Sequence, residues 1–178
     1  MTDFNLPHLT LVIGGASSGK SSFAEELINK TQTPRRYIAT ANAYDVEMED
    51  KVAAHQFRRG VNWTTVEAPL DAHGALNAAH TGETVLLDCA SMWLSNHMLA
   101  ESNLEEEQKL LLGALQTCHA NVVIVSNEVG AGIVPDNPLA RQFRQAQGEL
   151  NQALAAASEL VITVIAGLPL VLKGTMPE

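Results

Sequence analysis

Residues 14–21 read Gly-Gly-Ala-Ser-Ser-Gly-Lys-Ser, the pattern G-x-x-x-x-G-K-[ST]. These residue types at this spacing suit one task, the holding of a polyphosphate. Gly14, Gly15 and Gly19 let the backbone reach positive φ and approach a phosphate closely. With Ala16, Ser17 and Ser18 they form a turn whose N–H groups converge as an anion nest. Lys20 offers a point charge to the β and γ phosphates, and Ser21 offers a hydroxyl to Mg²⁺. A Gly/Ser-rich turn that matched by accident would need no particular flanks. Here Leu9–Ile13 is an apolar, β-branched run of strand length, and Ser22–Ile28 places Ala24, Leu27 and Ile28 on one helical face. The helix can therefore aim its positive dipole end at the anion. The stretch reads as a nucleoside triphosphate site.

Two further groups could act beside it. Asp88 ends the apolar run Thr84–Asp88, the usual place for the second acid of such enzymes, which holds Mg²⁺ directly or through water. It could equally cap the helix that follows. Glu128 also follows an apolar run and is a second candidate for the same place. The other group is His55. On a helical wheel of about 100° per residue with Met48 at the origin, Val52, His55 and Arg59 fall within about 40° of one line. Lys51 and Arg58 flank that line, so one face of a short helix over 46–59 carries an imidazole among cations. The chain has only 11 Lys and Arg in all, and this local density points to a bound anion. One reading is a solvated helix with a surface histidine. The other is a nucleophile: neutral imidazole attacks phosphorus and gives a covalent phosphoramidate, which divides a transfer into two steps. Neighbouring cations would keep that imidazole neutral and offset charge growing on the phosphate oxygens.

The other histidines point to less. His8 precedes the first strand, His73 and His80 lie in a polar stretch, and His97 and His119 are read as single residues on helices. None has a partner at metal-ligand spacing, so no zinc site is expected. Cys89 reads as a small buried residue rather than a nucleophile.

The elements that must position these groups follow from periodicity and punctuation. Pro34 closes the first helical region, and Tyr37–Ala39 is a second strand ending near Thr40. Gly60 suits the end of the 46–59 helix. Trp63–Glu67 is a third strand. A small helix runs from about Leu70 to Ala79 after Pro69, and Thr84–Asp88 is a buried strand. Met92–Leu99 and Leu104–Cys118 are helices, the second acidic at its start. Asn121–Ser126 is a buried strand, and 127–138 is a loop. Leu139, Phe143, Ala146, Leu150, Ala153 and Ala157 mark a long amphipathic helix. Leu160–Ala166 is a strand, and Leu170–Leu172 a short last one. Strands alternating with helices predict a three-layer α/β fold of the P-loop NTPase type, mainly parallel, with helices on both faces. Ligands would sit at the carboxyl ends of the strands, where the phosphate loop lies.

Bulk properties bound the function. The 178 residues suffice for one domain with a substantial core, and 46% hydrophobic against 17% charged residues argue for a folded globule. A formal net charge of -9 argues against general nucleic-acid binding. There is no apolar run of membrane-spanning length, and the N-terminal stretch lacks the regions of a signal peptide. Two cysteines make no disulfide framework, so a cytoplasmic setting is expected.

The residues also form a recognisable series. After the glycine-lysine turn come Tyr37-Ile38-Ala39-Thr40, Glu47-Met48, His55, Arg58-Arg59, Trp63–Glu67, Leu87-Asp88-Cys89 and Asn127-Glu128-Val129-Gly130-Ala131-Gly132-Ile133-Val134-Pro135. This order resembles the bifunctional adenosylcobinamide kinase / adenosylcobinamide-phosphate guanylyltransferase family of cobalamin biosynthesis. The resemblance extends through Leu139–Arg144 to Ala166–Pro169, and the His55 segment with Asn127–Pro135 is its specific part. It implies transfer of a phosphoryl group from ATP or GTP to the aminopropanol hydroxyl of adenosylcobinamide. It also implies transfer of GMP from GTP, through a guanylylated histidine, to the phosphorylated cobinamide, giving adenosylcobinamide-GDP. His55 matches that histidine. Family nucleotide contacts map onto Gly14–Ser21, Ala39, Thr40, Ala41, Gln56, Phe57, Arg58, Arg59, Glu67 and Asp88, with Mg²⁺ at Ser21 and Asp88. Glu67 would suit the donors of guanine. A homo-oligomer, with a trimer favoured, is implied as well. Ser17 stands where many members have Arg, which bears on phosphate contact or donor preference. The competing readings are a small-molecule kinase without a covalent step and a nucleotide-dependent binding module. The lack of an N-K-x-D motif counts against a switch of the small-GTPase kind.

Overall fold

A computed structural model describes residues 4–41 and 62–177. Seven strands form one sheet in the order β3-β2-β4-β5-β1-β6-β7. They are β1 (Leu9–Gly14), β2 (Arg35–Ala39), β3 (Trp63–Glu67), β4 (Thr84–Asp88), β5 (Asn121–Asn127), β6 (Leu160–Ile165) and β7 (Leu168–Lys173). Every pairing is parallel except β6 with β7. The described helices are α1 (Lys20–Asn29), α2 (Ala72–Asn77), α3 (Ala90–Leu99), α4 (Leu104–Thr117) and α5 (Pro138–Ala157).

The central strands are buried on both faces, which is why they read as continuous apolar runs. Val85, Leu87, Val122 and Ile124 pack on one side with residues of α2, α3, α4 and α5. Leu86, Val123 and Val125 pack on the other with Ala24, Leu27 and Ile28 of α1. The expected helices on both faces are thus present. Among the described residues no helix is long and apolar enough to cross a membrane.

Several boundaries differ from the sequence reading, each for a local reason. β2 begins at Arg35, two residues early, where both arginines find acceptors close by. Arg36 Nε lies 3.0 Å from a Glu83 carboxylate oxygen, and Arg35 donates to the carbonyls of Asn29 and Thr31. α2 is shorter than Leu70–Ala79, because Asp71 caps it by accepting from Gly74 N at 2.9 Å. α3 starts two residues before Met92. β6 stops at Ile165, and β7 is six residues long and antiparallel to it. Ala166 and Gly167 both take positive φ (51° and 79°), the two-residue turn that matches strand twist in a hairpin. His119 lies past the end of α4, not on a helix. The 46–59 helix lies outside the described residues.

Candidate active site at the carboxyl edge of the sheet

The parallel register lines up the chemistry. Gly14 pairs with Asn127, Val125 with Asp88, Asp88 with Ala39, and Ala39 with Glu67. All these strand ends therefore share one edge. The phosphate loop bridges β1 and α1 there. Ser17 and Gly19 take left-handed backbone (φ 56° and 92°), and Gly19 caps α1, with Phe23 N donating to Gly19 O at 2.9 Å. The loop is tied to its neighbours by backbone bonds. Glu128 N donates to Gly14 O at 3.0 Å, and Gly167 N to Ser18 O at 2.8 Å. The Ser18 hydroxyl is buried without a hydrogen-bond partner, so the loop wall holds a polar group that a bound anion could satisfy after a small adjustment. Lys20 is largely buried and folds back to donate to Gly15 O at 3.0 Å. Burial holds its pKa below that of a free lysine, against the opposing pull of the Asp88 carboxylate.

The closeness of packing makes Gly14 a test of the loop. A Cβ there would stand 2.6 Å from Val164 O and 2.5 Å from Ser18 Oγ. One of these contacts is backbone and cannot yield cheaply. Gly14→Ala is expected to lower stability by about 1–3 kcal/mol and to weaken nucleotide binding at once. Thermal denaturation and ATP titration measure the two effects.

Asp88 precedes the α3 cap position, which Cys89 occupies without a side-chain bond. Capping is therefore not what fixes Asp88. Its carboxylate instead accepts from Tyr37 Oη at 3.3 Å. Tyr37 is buried and meets Trp63 edge to face, ring centroids 6.4 Å apart. Tyr37→Phe is expected to lower the turnover of phosphoryl transfer by roughly ten- to a hundredfold, the effect of one hydrogen bond to a charged group, and to raise any Mg²⁺ concentration the reaction needs. A Mg²⁺ titration of initial rates checks this. Cys89 is buried, and its thiol is pushed up to about 12, chiefly by burial and then by the Asp88 charge. It carries no thiolate near neutral pH and acts as packing.

Thr40 is fully buried, and each of its polar groups is used within the protein. Its N–H donates to Asp88 O, its carbonyl accepts from Asn96, and its hydroxyl joins Cys89 O and N at 2.7 and 2.8 Å. Thr40 thus locks the ends of β2 and β4 together and offers no surface to a nucleotide, unlike the partly exposed Ala39 and Ala41. Glu67 is exposed at the end of β3. It lies four strand spacings from Gly14, about 19 Å, whereas Asp88 lies two spacings away, about 10 Å. Glu128 turns its carboxylate onto its own loop, accepting from Gly130 N and Ala131 N at 2.6 and 3.2 Å. His55, Gln56, Phe57, Arg58 and Arg59 lie outside the described residues.

One part of the site was missed in the sequence. β5 lies between β1 and β4, so Ser126 and Asn127 stand between the phosphate loop and Asp88. A buried polar network fixes them. Asn127 N donates to Ser91 Oγ, Ser126 Oγ to Asn151, Gln147 to Ser126 Oγ, and Asn151 Nδ2 to Asn127 O. Gln147 is fully buried within a helix whose sequence reads as amphipathic. Its place at a core position among Phe143, Leu150 and Leu154 was the available signal.

A cation at this edge would find hard oxygen donors in Ser21 and Asp88, the donor type that Mg²⁺ prefers. Among the described residues no group of three or more His, Cys, Asp or Glu converges.

Known proteins agree with this arrangement. Residues 10–172 match the family described as cobinamide kinase / cobinamide phosphate guanyltransferase. The bifunctional adenosylcobalamin biosynthesis protein CobP of Pseudomonas aeruginosa is 41% identical over 167 residues, 92% of this chain and 96% of that protein. The corresponding CobU of Salmonella typhimurium is 37% identical over 182 residues, 93% and 99% of the two chains. Among solved structures, the RadB recombinase aligns with a TM-score of 0.52 at 15% identity, over 96% of this chain and 82% of its own. FlaH from Methanocaldococcus jannaschii aligns with 0.52 at 14% identity, over 97% and 81%. At such identities these two speak for the fold alone. With the match spanning nearly the whole chain and the phosphate loop and Asp88 brought to one edge, the chain belongs to the cobinamide kinase / cobinamide phosphate guanyltransferase family.

Proposed function

We propose that this protein carries out both reactions for which its family is named, as a bifunctional transferase of cobalamin biosynthesis. It phosphorylates adenosylcobinamide from ATP or GTP and then attaches GMP to the product, giving adenosylcobinamide-GDP. The observation that carries this reading is the phosphate loop set beside Asp88 on one sheet edge, in a chain matched to the family over residues 10–172.

In the kinase step the loop N–H groups and Lys20 hold the β and γ phosphates while the acceptor hydroxyl attacks the γ phosphorus. In the guanylyl step the His55 imidazole attacks the α phosphorus of GTP, an N–P bond forms, and pyrophosphate leaves. The phosphate of the phosphorylated cobinamide then attacks that phosphorus and releases the histidine. Lys51, Arg58 and Arg59 offset charge on the transferring group. Ser21 and Asp88 are the residues to hold Mg²⁺, which when bound offsets charge on the phosphate oxygens. The nucleotide contacts are Gly14–Ser21, Ala39, Ala41, Gln56–Arg59, Glu67 and Asp88, with Glu67 accepting from guanine and Thr40 as a support. The setting is cytoplasmic, and the assembly is a homo-oligomer, a trimer by resemblance.

Intact-mass analysis after incubation with GTP and Mg²⁺ tests the covalent step, and a parallel assay follows cobinamide phosphorylation. An acid-labile GMP adduct with active phosphorylation is expected. Phosphorylation with no adduct at any time would leave a kinase alone, and tight nucleotide binding with neither activity would leave a binding module.

A further inference from the structure

The loop after β5 leaves the sheet beside the phosphate loop, where Glu128 N bonds Gly14 O. It is braced at both ends. The Glu128 carboxylate gathers Gly130 N and Ala131 N, and Arg144 of α5 donates to the carbonyls of Gly130 and Gly132. Arg141 donates to Pro135 O at 3.0 Å and Asp136 O at 2.7 Å. Between these anchors Ile133 is 97% exposed and Val134 65% exposed. A lone exposed apolar residue is ordinary. Two adjacent ones at the tip of a loop braced by two arginines form a standing apolar contact surface. Next to Val134 a cavity of about 450 Å³ opens against α5, where Arg141, Arg144, Gln145, Glu149 and Gln152 supply its polar lining.

The acceptor of the transferred groups must bring a hydroxyl to the phosphate loop while its bulk rests outside. Cobinamide is a broad macrocycle with apolar ring faces and a rim of amides. Two described segments bond the phosphate loop and so adjoin it: this loop, and the β6–β7 turn through Gly167 N to Ser18 O. The turn is flanked by the exposed apolar residues Ile165 and Leu168. The β5 loop joins an apolar tip to a cavity lined by guanidinium, amide and carboxylate groups, which offers an apolar contact to the ring and hydrogen-bond partners to the amides of the acceptor. We propose that this loop and the adjoining face of α5 are the docking wall for the corrinoid, its ring face on Ile133 and Val134 and its amide rim toward Arg141 and Gln145. The inference rests on the reading of the chain as a cobinamide kinase and guanyltransferase.

The test is the double variant Ile133→Ser/Val134→Ser of the full chain. Both side chains are exposed, so the fold should be kept, and a thermal melt checks it. GMP-adduct formation, which needs no corrinoid, is expected to stay within about twofold, whereas the KM for adenosylcobinamide rises about tenfold or more with kcat little changed. An intact adduct with an unchanged KM overturns the docking wall and leaves both activities standing. Loss of the adduct overturns it by placing the loop in the nucleotide step. A changed oligomeric state in sedimentation overturns it in favour of a contact between copies. Absence of any corrinoid activity in the unmodified protein overturns it together with the reading beneath it.

Discussion

His55→Ala is expected to abolish the acid-labile GMP adduct, by a factor of at least about 10⁴, while cobinamide phosphorylation falls less than about tenfold. The asymmetry follows from what each step demands. Phosphoryl transfer to an alcohol asks the protein for positioning and charge, both of which the phosphate loop supplies. Guanylylation through a covalent intermediate asks for an atom that bonds to phosphorus, and no neighbouring cation can replace it. Lys51, Arg58 and Arg59 would remain in the variant, so GTP binding should survive, and a titration with a non-hydrolysable GTP analogue separates lost chemistry from lost binding. His55→Asn is the companion variant, since an amide keeps polarity and some shape without nucleophilicity. If either variant still formed the adduct, the nucleophile would lie elsewhere. If both lost phosphorylation in step with the adduct, His55 would serve the shared nucleotide site rather than the covalent step.

Much of this site is legible in the sequence because its grammar is local. A glycine-rich turn between an apolar strand and a helix specifies the cradle. Buried strands announce themselves as apolar runs, so Asp88 at the end of one is placed without knowledge of its neighbours. What eludes a reading along the chain is what depends on strand order. That β5 lies between β1 and β4, and so sets Ser126 and Asn127 between the loop and Asp88, is a tertiary fact. So is the Tyr37 bond to Asp88, which spans 51 residues of sequence. Thr40 shows the opposite case. Its position beside Ala39 and Ala41 reads as a contact, but burial turns its hydroxyl inward to Cys89. The Ala166–Gly167 turn was hidden because alanine rarely takes positive φ, and the apolar run carries straight into it.

Lys20→Ala is expected to slow both reactions by about 10²–10³, the usual effect of removing one preorganised charge from a transferring phosphate. Initial rates of cobinamide phosphorylation and of adduct formation measure the two effects. Their parallel fall would mean that one phosphate site serves both steps, whereas phosphorylation at full rate in the variant would mean two sites. The lysine also predicts a pH signature. In the empty protein burial holds its pKa below the ordinary lysine value, and a bound triphosphate favours the charged form and raises it again. Binding therefore takes up a proton, and ATP affinity should fall as pH rises through the lowered pKa of the empty site. The stability of the empty protein has the opposite sign over that window. The unfolded chain there keeps a proton that the folded one has lost, so resistance to unfolding rises with pH. Both slopes should vanish in Lys20→Ala. A mutant that kept the alkaline loss of ATP affinity would assign it to another group, and a parent protein whose affinity rose through that range would contradict a charged lysine at the phosphates.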